Sequence, residues 1–108
     1  MPKYLIHGSY TLEGVRGLIK EGGSSRRSHF NQNIGNLSGK VEAFYFAFGG
    51  EDIFSIVDLP DNIGGAAISL ALGAGGGFKA STIVLLTPEE VDEAAKKVAK
   101  VGYRPPGK

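Results

Sequence analysis

Apolar residues dominate Val41-Glu42-Ala43-Phe44-Tyr45-Phe46-Ala47-Phe48 and again Ile53-Phe54-Ser55-Ile56-Val57, and a polar turn, Gly49-Gly50-Glu51-Asp52, separates them. Aromatic and β-branched runs either side of a glycine-bearing turn predict a β-hairpin over residues 40–58. Side chains alternate across a strand, so Phe44, Phe46 and Phe48 share one face and Ala43, Tyr45 and Ala47 the other. The phenylalanine face reads as the one packed on helices.

The same reading extends in both directions. Tyr4 to Tyr10 has the length and content of a strand, and Thr11 is placed to cap a helix whose Leu12, Val15 and Ile19 recur at helical spacing beside Leu18. Gly22-Gly23 interrupts it, and Arg26 to Leu37 resumes a helix with Phe30 and Ile34 on one face, although its Asn, Ser and Gly content favours helix poorly. After Pro60-Asp61 a helical stretch offers Ala66, Ala67, Leu70 and Ala71 for packing on a sheet, and the Gly73–Gly77 cluster stops it. Phe78 to Leu86 is the fourth strand. Thr87-Pro88-Glu89-Glu90 then carries an N-cap, a proline that needs no N–H and a capping box. The helix it starts has Val91, Ala94, Ala95 and Val98 as an expected buried stripe and Gly102 as its C-cap.

Strand, helix, strand, strand, helix, strand with a further C-terminal helix is an α+β order. With right-handed crossovers it gives a ferredoxin-like βαββαβ sheet. Residues 1–102 are expected to form a single domain and residues 103–108 a flexible C-terminal tail. Such a sheet carries its crossover helices on one face, so the other face needs solvent or a partner.

Composition adds mainly exclusions. The chain has 108 residues, 42% of them hydrophobic and 21% charged, with a net charge of +1. That balance fits one globular domain and lacks the excess charge of a nucleic-acid binder. There is no cysteine, hence no disulfide and no thiolate chemistry, and a reducing cytoplasm is the expected location. No export signal is visible ahead of Tyr4. The uncharged stretch from Ile63 to Phe78 is too short and too rich in glycine to span a membrane. No cofactor, metal, nucleic acid or membrane is expected as a partner.

Alternation leaves the register between strands open. If the sets bearing Tyr10, Tyr45 and Thr82 share the open face, that face is aromatic, hydroxyl-bearing and partly apolar. A large apolar face demands cover, so a second copy is expected to meet it in a two-fold homodimer or a larger homo-oligomer.

Thr11-Leu12-Glu13-Gly14-Val15-Arg16, Phe44-Tyr45, Gly49-Gly50-Glu51-Asp52, Val57-Asp58-Leu59-Pro60-Asp61, Ala80-Ser81-Thr82 and Thr87-Pro88-Glu89-Glu90 together resemble the GYD domain family. The resemblance implies a ferredoxin-like domain of the dimeric α/β-barrel type with a poorly defined biochemical role. The chain departs from it at Glu51, which stands where the family's glycine-tyrosine-aspartate signature has its tyrosine, and in the glycine-rich segment from Gly22 to Gly35.

Candidate chemistry is sparse. His7 is the foremost proton acceptor or ligand, but no second histidine or carboxylate sits at a metal-ligand spacing from it, and a packed strand histidine is the simpler reading. Asp52 more often fixes a turn than performs chemistry. Glu51 reads as a solvated turn charge, Arg16 as the surface partner of Glu13, and Ser24-Ser25-Arg26-Arg27-Ser28 as a solvated loop. Gly73–Gly77 closes a helix and opens a strand, the reverse of a phosphate-binding turn. The expected function is therefore a small homo-oligomer binding a partly apolar metabolite between sheet faces, anchored by Tyr10, Tyr45 and Thr82. The alternative, from analogy with other dimeric α/β barrels, is a cofactor-independent oxygenase or isomerase in which His7 or Asp52 assists proton removal.

Overall fold

A computed structural model describes all 108 residues. The elements run β1 (Lys3–Tyr10), α1 (Leu12–Glu21), α2 (Gly23–Asn36), β2 (Lys40–Phe46), β3 (Ile53–Asp58), α3 (Asn62–Gly75), β4 (Phe78–Leu85) and α4 (Pro88–Val101). The four strands form one antiparallel sheet in the order β2-β3-β1-β4. This is the ferredoxin-like arrangement expected from the element order, with β2 and β4 at the edges. The sheet stays open within the chain.

Local chemistry sets most boundaries. The Thr11 side chain accepts from the Gly14 amide, Asp61 accepts from the Ile63 and Gly64 amides, and Thr87 and Glu90 form the anticipated capping box. Gly76 and Gly102 take the left-handed conformation that ends α3 and α4. The poor helix former of the sequence is a full helix: α2 takes in the Ser24–Ser28 segment expected to be a loop, because Phe30 and Ile34 bury themselves in the core and carry the turn between them.

The core is small and lies between the sheet and α2 and α3. Tyr4, Ile6, Val57 and Leu59 meet Phe30 and Ile34 of α2 and Ile68 of α3. Gly65 lets α3 approach the ring of Tyr4, since a Cβ there would stand 3.2 Å from Cε1. The face of α3 that packs is therefore Gly65, Ile68, Ser69 and Leu72, while the expected Ala66 and Leu70 are exposed. Tyr4 donates to Asn62 Oδ1 at 2.7 Å, which satisfies its buried hydroxyl.

Two amphipathic helices face water along their apolar stripes. Leu12, Val15 and Ile19 of α1 are exposed, with Leu18 alone turned partly inward, and every residue of α4 is exposed. The expected buried stripe of Val91, Ala94, Ala95 and Val98 has no cover within the chain: α4 follows the edge strand β4, and none of its residues is buried.

Candidate functional site

The register settles which side chains share the open face. His7 lies opposite Phe54 on one side and Ser81 on the other, and Phe54 lies opposite Tyr45, so the four form a row across all four strands. The next row is Ala43, Ile56, Leu5 and Ile83; the one after it is Lys40, Asp58, Lys3 and Leu85. Tyr45, Phe54 and Ile83 are largely in water, at 70%, 41% and 46% exposure. An aromatic band, an aliphatic band and a charged band thus cross the same uncovered surface.

The charged band is internally neutralised. The ammonium of Lys3 donates to Asp58 Oδ1 at 2.8 Å and to Glu42 Oε1 at 2.9 Å. Those two hydrogen bonds raise its pKa above the ordinary 10.5, against a smaller opposing effect of desolvation. Glu42 reaches Lys3 because a bulge between Val41 and Ala43 inserts one extra residue into β2.

In the aromatic band, Nδ1 of His7 stands 2.6 Å from Glu51 Oε1, and the imidazole stacks on Phe54 with 5.9 Å between ring centres and 5° between planes. An ionised carboxylate only accepts, so Nδ1 carries the hydrogen, and Nε2 of the neutral ring keeps an acceptor lone pair. Nε2 is buried and has no partner. A histidine oriented through one nitrogen and unengaged at the other can take a proton or a hydrogen bond there once the side chains covering Nε2 move aside.

Glu51 is brought there by the hairpin loop. The Asp52 amide donates to the Gly8 carbonyl at 2.8 Å, the Tyr10 amide donates to Asp52 Oδ2 at 2.9 Å, and Ser9 Oγ donates to the Gly50 carbonyl at 3.0 Å. The Asp52 carboxylate accordingly serves the backbone, that of β1 and not of its own turn. Glu51 is no simple solvated charge: the stitched loop folds it over the end of β1 onto His7.

The other sequence candidates are dispersed. Tyr45 does stand on the open face, but Tyr10 and Thr82 lie on the helix side, since each aligns with core positions of its neighbouring strand. Thr82 Oγ1 is engaged by Ser69 Oγ of α3. Tyr10 packs edge-on against Phe78, and its hydroxyl is buried without a hydrogen-bond partner. The anticipated trio therefore shares no face. Arg16 is exposed and makes no ion pair with Glu13, whereas Arg26 and His29 both pair with Glu21. No group of three or more His, Asp or Glu side chains comes together in a way that could hold a metal ion. No helix is long and apolar enough to cross a membrane.

A four-stranded antiparallel sheet in this order, clad by helices on one side, defines an α+β protein of ferredoxin-like class. Residues 4–95 match the GYD domain, and the chain belongs to that family, one of small domains whose role is unclear. No curated protein and no solved structure matches it.

Proposed function

We propose that the chain acts as a homodimer, or a larger homo-oligomer, whose open sheet faces meet and enclose a small, partly apolar molecule beside His7 and Tyr45. One observation carries this reading. The chain exposes 7488 Å², whereas a folded monomer of 11.3 kDa exposes about 5,700 Å². Its radius of gyration is 17.2 Å, against about 13 Å for a compact chain of this length. An excess of about 1,800 Å² is what one partner contributes to a large obligate interface. Exposed apolar side chains contribute to it: Ile83 on the open face, Leu12 and Ile19 on α1, and Val91, Val98 and Val101 on α4.

Two such faces brought together form the dimeric α/β barrel that the family resemblance implies. The Tyr45, Phe54, His7 and Ser81 row would supply stacking surface and hydrogen-bonding groups inside it. Sedimentation equilibrium at micromolar concentration tests the assembly: a mass of two or more chains supports it, and a single 11.3 kDa species at all concentrations refutes it. Thermal shift against a metabolite library tests binding, because a ligand at a hundred times its Kd adds about 2.7 kcal/mol.

One observation favours a second reading, a cofactor-independent oxygenase or isomerase. The buried, unpartnered Nε2 of His7, with Glu51 behind Nδ1, is the arrangement of a general base. Replacing His7 by Asn in any assay that first detects turnover tests it: full retained rate removes His7 from the chemistry.

A further inference from the structure

On the opposite side of the sheet from His7, a cavity of about 300 Å³ opens between α1 and α3 and reaches the core through α2. Its walls are apolar, with Ile6, Phe30, Ile53 and Phe78 buried behind it. Tyr10 belongs to its lining, and the hydroxyl at the end of its ring is buried without a hydrogen-bond partner in the chain. A buried hydroxyl left unmatched costs stability, and an acceptor brought within its reach recovers that cost.

The backbone of α1 makes the room. Gly14 and Gly17 lie in the wall; a Cβ on Gly14 would strike the Gly77 carbonyl, whereas one on Gly17 would meet nothing within 4 Å. Gly17 is exposed, so the wall is open on that side. At the rim stand Glu13, Glu21, Arg26 and Asn33. Arg26 is already paired with Glu21 at 3.5 Å, so the rim carries two carboxylates against one compensated cation and disfavours anions. Burial, more than any charge, raises the Tyr10 pKa above its ordinary 10.0; the phenol is a neutral donor at physiological pH, as an unperturbed tyrosine also is.

We infer that this cavity is a binding site for a small neutral molecule with an apolar body and one hydrogen-bond acceptor, a ketone, aldehyde or ester of roughly nine to fifteen non-hydrogen atoms. The Tyr10 hydroxyl donates to the acceptor, Phe30 and Phe78 pack on the body, and Gly17 leaves the space it fills. The site lies within one chain and on the far side of the sheet, so it does not depend on how the open faces assemble.

The test uses the full chain, ¹⁵N-labelled, titrated with acetophenone, ethylbenzene and benzoate. These aromatic probes are close in size; the first carries an acceptor, the second none and the third a negative charge. Acetophenone should shift the amides of Gly14, Gly17 and Phe78 with a Kd in the millimolar range, ethylbenzene more weakly and benzoate least. Tyr10→Phe should weaken acetophenone about three- to tenfold and leave ethylbenzene unchanged. Gly17→Leu, whose Cβ meets no neighbour within 4 Å, should abolish both while the protein stays folded, as an unchanged far-ultraviolet spectrum would show. Absence of helix-side shifts with acetophenone overturns the inference, as does a Tyr10→Phe variant that binds all three probes like the wild type. Shifts confined to His7 and Tyr45 would refute this site and support the one between sheet faces.

Discussion

Glu51 holds the Nδ1 side of His7 at 2.6 Å from a position 44 residues further along the chain. The contact fixes both the tautomer of the ring and the position of the hairpin loop. Replacing Glu51 by Ala should move the ring hydrogen toward Nε2, visible as an exchange of the two nitrogens' resonances in a long-range ¹H–¹⁵N spectrum at about pH 8. It should also cost about 1 kcal/mol in urea unfolding, because the pair is only partly buried.

Tyr10→Phe should stabilise the unliganded protein. The hydroxyl is buried and unpartnered, so removing it relieves a desolvation cost of about 1 kcal/mol while the ring keeps its edge-on contact with Phe78. A raised urea midpoint with an unchanged m-value is the expected reading.

Val98→Glu places a charge in the uncovered stripe of α4. Because no residue of that helix is buried within the chain, the far-ultraviolet spectrum should not change. If the stripe packs on another copy, the self-association constant should fall by about tenfold or more. Sedimentation velocity over a dilution series reads the difference.

Stability should decline in alkali. Tyr4 and Tyr10 hold their protons above the ordinary 10.0, chiefly through burial, and Lys3 holds its own above 10.5 through Asp58 and Glu42. The unfolded chain releases these protons from about pH 10. Above that point the folded state binds more protons than the unfolded one, so stability falls as pH rises; below about pH 9 these groups contribute no slope. Urea midpoints compared at about pH 8 and about pH 11 check the sign, and phenolate absorbance should show two tyrosines titrating late.

Much of the fold was legible in the sequence because its signals are local. The hairpin runs, the Thr87–Glu90 box and the glycines closing α3 and α4 each act within a few residues, and the element order then leaves few topologies. The site was less legible. Alternation splits Phe44 and Phe46 from Ala43 and Tyr45 within one strand, but only the pairing of Tyr45 with Phe54 and of Phe54 with His7 shows which sets lie together across strands. Periodicity marked the stripes of α1 and α4 without saying that nothing in the same chain would cover them. The Glu51 contact and the space before Gly17 depend on tertiary approach, which leaves no local trace; the nearest hint was a carboxylate standing at the family's tyrosine position.

The extra residue in β2 has one more effect. Fibril growth needs a flat outer strand whose free amides and carbonyls can receive a newcomer in register. Glu42 disturbs that ladder, and Lys40 and Glu42 put both signs of charge along it. Lateral accretion into cross-β stacks is thereby discouraged on this margin.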